Sequence, residues 1–172
     1  MIYFDGTTFM DINTDIDIAA NQDFTIMAHV VFTDLTARAL YGSNANNFFR
    51  INTSAGFRCK IGGTGNTNFT EASDTIGINS DYFVTIQRSN GATGNLACYV
   101  HADGPGYEDK AWGSTTSEDP DEFTINNIGA SSDDTMNFQG VFKNLFVYKG
   151  VALTSDNRKT LYTYMTNLLG PV

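Results

Sequence analysis

Basic charge, tryptophan, proline, cysteine and long apolar runs are all scarce in this chain of 172 residues. No apolar run is long enough to cross a bilayer as a helix. Lys and Arg number 10 against 19 Asp and Glu, a net charge of -9. That balance offers no basic surface for counterion-release binding to nucleic acid and disfavours an anionic membrane. An acidic surface is compatible with cationic partners and with calcium. The two cysteines, Cys59 in F-R-C-K-I and Cys98 in L-A-C-Y-V, each sit mid-strand. A domain of this size does not need a disulfide, so two buried thiols are expected. The first residues, Met1-Ile2-Tyr3-Phe4-Asp5-Gly6, lack the basic region and apolar core of a secretory signal and read as a strand. With Met1 as the native start, synthesis is cytoplasmic. Export is then expected by lysis, inside an assembled particle, or by an unusual route.

The chain does contain 16 glycines and many Asn, Thr and Ser, with few Glu, Lys, Leu or Ala, a balance that favours turns and β-structure. A single domain over residues 1–172 would bury roughly 70% of its unfolded surface. Short alternating segments divided by turn residues predict an antiparallel β-sandwich. The clearest runs from Asp23 to Asp34. Phe24, Ile26, Ala28, Val30 and Phe32 fall on one face, and Thr25, Met27, His29, Val31 and Thr33 on the other. The second face is not strongly polar, so it is expected to be partly covered. Further strands are predicted at Phe9–Ile12, Ala39–Tyr41, Asn47–Asn52, Phe57–Ile61, Tyr82–Arg88, Leu96–His101, Phe123–Ile128 and Val141–Tyr148. Ser89–Asn95 and Gly62–Asn66 read as turns. Asp103–Glu122 is the longest irregular stretch and the expected functional rim. Leu161, Tyr164, Met165 and Leu168 predict a C-terminal helix over 153–169, capped by Thr154 or Ser155 and stopped by Gly170-Pro171.

Few residues form chemical motifs. Asp15-Ile16-Asp17 places two carboxylates on one side of a strand, but with no third acid the pattern reads as a solvated strand edge. Glu118–Glu122 reads as an acidic surface loop. His29 and His101 belong to no local metal or nucleophile pattern. Tyr107 and Trp112, in the long loop, are the candidate carbohydrate-binding aromatics, with Trp112 equally suited to plugging the sandwich edge.

Several segments resemble laminin-G-like, concanavalin-A-type jelly-roll domains. The strand F-Q-G-V-F-K-N-L-F-V-Y-K-G-V-A, Phe138 to Ala152, is similar to the family's closing F-x-G strand, and its K-G-V-A ending resembles copies in tailed-phage appendage and virion proteins. Tyr3–Gly6 resembles the opening F-D-G, Asp23–Val30 the F-T-I-x-A-W-V strand, Asp81–Arg88 the W-x-H-V-A-x-x-R strand, and Ile128-Gly129 the I-G before the closing turn. Leu96–Gly104 resembles L-x-Y-V-D-G in stretched form. Departures fall at His29 and Tyr82, where the family has tryptophan, and at Lys143-Asn144, where it has an acidic pair. The resemblance implies an interaction module. It also raises calcium, because laminin-G and pentraxin domains use rim carboxylates for it. Asp103, Asp133 and Asp134 are the candidate ligands, with ordinary loop aspartates as the alternative.

The expected function is a non-catalytic, homo-oligomeric virion protein: a capsid decoration, head-fibre or tail-appendage subunit that contacts other virion proteins and host-surface glycans. A carbohydrate-binding module is the alternative. A glycoside hydrolase ranks third, for want of an acidic strand motif.

Overall fold

A computed structural model gives the architecture for residues 1–62, 65–71, 74–89, 95–102, 109–114, 121–131 and 136–169. Two six-stranded antiparallel sheets face each other. The first sheet runs, in spatial order, β1 (Ile2–Asp5), β12 (Gln139–Lys149), β3 (Phe24–Phe32), β8 (Asp81–Ser89), β9 (Asn95–Ala102) and β10 (Lys110–Ser114). The second runs β2 (Met10–Ile18), β11 (Phe123–Ile128), β4 (Arg38–Asn44), β5 (Asn47–Thr53), β6 (Gly56–Lys60) and β7 (Thr67–Thr70). Helix α1 (Ser155–Leu169) follows β12.

The period-2 pattern of β3 decides the layering. Phe24, Ile26, Ala28, Val30 and Phe32 are all buried in the core between the sheets. They meet Phe49, Ile51, Phe57, Phe123 and Ile125 from the opposite sheet. Met27, on the other face of β3, joins a second cluster with Phe83, Leu153, Tyr162 and Met165 beneath α1. The first sheet is therefore covered on both faces, as the apolar second face of β3 requires. Cys59 and Cys98 lie in facing sheets, both free and both buried in the main core.

The F-x-G element that opens β12 has a steric cause. Gly140 has φ +143 and passes so close to β3 that a Cβ there would come within 2.0 Å of the Val31 carbonyl oxygen. Only glycine lets the two backbones approach this closely. The register of β12 then shifts between Phe142 and Asn144, a bulge at Lys143-Asn144.

Four expectations need correction. The irregular stretch Asp103–Glu122 contains a strand, β10, which among its described side chains turns Trp112 alone into the core. Strand β7 was not expected either, and it too buries one large side chain, Phe69. One apolar residue gives no periodicity to read. Strand β2 extends beyond Ile12 to Ile18, turning Asp15 and Asp17 to solvent. On α1 the inward side is set by Tyr162 and Met165, while Tyr164 is 56% exposed. Leu161 and Met165 pack inward as the sequence predicts, but the inward positions also include Tyr162 and, one turn before it, Arg158. The cap is Thr154, whose Oγ1 accepts the Asn157 N–H at 3.3 Å.

Candidate functional site

A cleft of about 270 Å3 opens at one end of the first sheet, between the segment before β8 and strands β9 and β10. Strand pairing builds its floor. Tyr82 lies opposite Ala102, and Lys110 opposite Val100, so β8, β9 and β10 bring Tyr82, Val100, His101 and Trp112 to one end. The Tyr82 hydroxyl accepts the Gly77 N–H at 2.7 Å and ties the preceding segment over the strands. That segment supplies Asp74 and Thr75 to the mouth, where Lys110 Nζ stands 3.4 Å from Asp74 Oδ2. Both side chains remain partly exposed. The cleft therefore offers a carboxylate, an ammonium and a hydroxyl above aromatic and aliphatic walls. That donor set recognises a polar ligand by hydrogen bonds.

Trp112 lines this cleft but presents no open ring face. It is 2% exposed and sits edge-on to Phe57, with centroids 5.6 Å apart. Its burial in the core suits the role of plugging the sandwich edge, because β10 turns it inward. Tyr107, Asp103, Asp133 and Asp134 lie outside the described residues. Among the described residues no group of three or more His, Cys, Asp or Glu side chains could hold a metal ion.

Sequence reading missed the polar cluster under α1. Arg158 grips both oxygens of Asp109 and donates to Gln87 Oε1 at 3.1 Å and to the Leu153 carbonyl at 2.6 Å. Its guanidinium lies 3.6 Å from the centre of the Tyr99 ring. Burial alone would weaken this charge, but the Asp109 carboxylate outweighs it and raises Arg158 above its ordinary value. Tyr162 shares a hydrogen bond with Thr85 and donates to Asp109, and its phenol is pushed up, first by burial. A cation in the first turn of a helix opposes the helix dipole. Arg158 in that position was the available signal that a specific carboxylate waits beneath it. Asp109 itself carries no signal.

Both histidines are buried on this same face. His29 Nε2 meets Asp81 Oδ1 at 2.8 Å, and Lys143 Nζ reaches the same oxygen at 2.5 Å. The His29 ring packs on Phe83 at 4.1 Å between centroids, Phe83 on His101 at 5.8 Å, and His101 on Tyr162 at 5.0 Å. Rings from three strands and the helix thus form one layer that fixes α1 on the sheet.

No protein-family model and no curated protein sequence matches the chain. Among solved structures it is similar to a native heptameric SAP-like pentraxin from Limulus polyphemus, with a TM-score of 0.62 and 15% identity. The match covers 88% of this chain and 76% of that one. At that identity the likeness is one of fold, a concanavalin A-like jelly-roll sandwich.

Proposed function

We propose that the chain is a non-catalytic structural or adhesion protein of a phage particle: a capsid decoration, head-fibre or tail-appendage subunit. It presents a lectin-like sandwich surface in many copies. The observation that carries the non-catalytic part is the donor set of the cleft. Retaining glycoside hydrolysis needs two carboxyl groups about 5–5.5 Å apart. Asp74 is the one carboxylate among the described lining residues, and Lys110 already stands against it. The phage context is supported by the closing strand ending Lys149-Gly150-Val151-Ala152 and belongs to sequence resemblance alone. Repetition is supported by the heptameric state of the pentraxin neighbour. Anchored copies turn weak contacts into effectively intramolecular ones, so a small module gains avidity by assembling. We read residues 1–172 as one such module.

Host-surface glycans are the external ligand in this reading, and a carbohydrate-binding module is the second reading. The cleft favours both, because Asp74, Thr75 and Lys110 supply acceptors and donors for hydroxyl groups above Val100 and Tyr82. Calcium enters through Asp103, Asp133 and Asp134. Melting with millimolar calcium and then with chelator tests it, since a ligand bound to the folded state alone raises the transition. An unchanged transition removes calcium from the reading.

Purified particles test the main proposal. The protein should be present in many copies, and a glycan array probed with the chain should lose its signal on Asp74→Ala. Absence from particles, with turnover of a polysaccharide by the isolated chain, would overturn the proposal in favour of an enzyme.

A further inference from the structure

The outer face of the second sheet carries both signs of charge, sorted to opposite sides. In β2 the alternation that turns Ile12, Ile16 and Ile18 toward the core leaves Asp11, Asp15 and Asp17 exposed on the other side. Among the described residues none of these three aspartates forms an ion pair. On the far side of the same sheet, Phe49, Ile51, Phe57 and Cys59 point inward, so Arg50, Arg58 and Lys60 point outward. Arg50 and Arg58 stand directly opposite each other, and Lys60 stands opposite Phe48. Their partners are neutral. Arg50 reaches Met136 Sδ and Asn52 Oδ1, Arg58 Nε donates to Asn68 Oδ1 at 2.8 Å, and Lys60 Nζ donates to Asn46 Oδ1 at 2.9 Å. An acidic chain thus keeps three cations together on one face without a carboxylate among their described partners.

Strand register explains why the two groups do not pair within the chain. Asp11 faces Asn127, Asn127 faces Gly42, Gly42 faces Phe48, and Phe48 faces Lys60. Asp11 and Lys60 are therefore the ends of one transverse row, four strand spacings or about 19 Å apart. Gly42 is the midpoint of that row. A Cβ there would come within 2.5 Å of the Asn47 carbonyl oxygen, so the centre of the row stays without a side chain.

We propose that this face is a homotypic interface. A second copy docks face to face about a twofold axis that passes by Gly42 and runs along the strands. Asp11 of each copy then meets Lys60 of the other, and the acidic half of each face lies toward the cationic half of its partner. A twofold contact makes every such pairing occur twice. An axis running across the strands would instead set aspartate on aspartate and arginine on arginine. The net charge of -9 makes two copies repel in general, so a face that brings opposite charges together is the favoured approach. The face measures about 24 Å across its six strands and about 30 Å along β2, at most roughly 700 Å2 and so at the lower edge of the ~800 Å2 per partner that a standard interface buries. This inference rests on the homo-oligomer reading above and names the surface that reading leaves open.

The test is complementation in trans, read by sedimentation velocity on the whole chain. Wild type should form a dimer, or an even-numbered assembly built from it. Asp11→Lys alone and Lys60→Glu alone should each weaken association by about tenfold or more, because each sets like charges opposite at both junctions. An equimolar mixture of the two variants should restore the dimer, since each substituted charge then meets its opposite. Circular dichroism melts check that both variants fold, and the pair Asp11→Arg and Lys60→Asp repeats the test if either does not. An oligomer that both substitutions leave intact overturns this interface while leaving the homo-oligomer standing. A wild-type monomer at every concentration overturns both. A monomer retained on a heparin column, and released by Arg58→Glu, overturns the interface in favour of an anionic ligand for the cationic half.

Discussion

Replacing Arg158 with methionine should destabilise the fold by about 3–5 kcal/mol, far more than a surface charge is worth. The side chains of Arg158 and Asp109 are 4% and 2% exposed. Removing the guanidinium leaves a buried carboxylate whose remaining described hydrogen bond comes from Tyr162. The same change strips a donor from Gln87 and from the Leu153 carbonyl. For a chain of this length each kcal/mol moves the melting temperature by roughly 2–4 °C, so a fall of about 6–20 °C is expected. Urea titration should show a lower midpoint at unchanged slope, the mark of lost stability and not of a changed unfolded state. The double variant Arg158→Met with Asp109→Leu should recover much of the loss, because an apolar pair of similar volume removes both desolvation costs. A loss below about 1 kcal/mol for Arg158→Met, or no recovery in the double variant, would refute the view that this pair pins α1 to the sheet.

Three further outcomes follow from burial and charge. Trp112→Ala should cost about 3–5 kcal/mol, because it opens a void beside Phe57 at the sandwich edge, and the lone tryptophan of the wild type should emit at short wavelength and resist iodide quenching. Thiol titration should find Cys59 and Cys98 unreactive in the folded chain and both reactive after denaturation without reductant. Burial, reinforced by Cys59, pushes the Cys98 thiol well up. At Asp34 burial opposes ionisation, but the Thr36 N–H and hydroxyl and the Arg38 guanidinium outweigh it and hold the carboxyl below its ordinary value. Its folded pKa thus lies below the unfolded one, so its contribution is complete above about pH 4 and is lost as pH falls through the folded value. Asp34→Asn should flatten the acid side of a plot of melting temperature against pH, and an unchanged slope there would count against the assignment.

The parts of the fold that were legible in sequence are those where one residue in two is apolar for a whole strand. β3 shows this best: its two faces were assigned residue by residue, and both are buried as their composition demands. β7 and β10 escaped because each inserts a single large apolar side chain, Phe69 or Trp112, too few to show a period. On α1 Leu161 and Met165 were legible as inward but Arg158 was not, since a pattern of apolar residues assigns a buried arginine's position to solvent. Site residues were harder still. Asp74 and Lys110 lie 36 positions apart and meet only because β8, β9 and β10 are neighbours in one sheet. The overall charge also concealed a local one. A count of -9 suggests no basic surface, yet the period of β5 and β6 collects Arg50, Arg58 and Lys60 on one side of one sheet.

The two outer faces of the sandwich have been put to different uses, and this bears on where a partner can dock. On the first sheet, α1 covers Met27, Phe83, Thr85 and His101, and the Arg158–Asp109 pair locks it down. Opening that face to a partner would expose apolar rings and an ion pair that water does not now reach, at a cost set by the same buried charges that Arg158→Met probes. On the second sheet the outward residues of β2, β5 and β6 include Phe48 but are mostly Asp, Asn, Arg and Lys, groups that exchange water for a partner's charge at little cost. We therefore assign recognition to that charged face and to the cleft beside Trp112. The two lie on different parts of the sandwich, so one can serve assembly while the other stays free for a ligand.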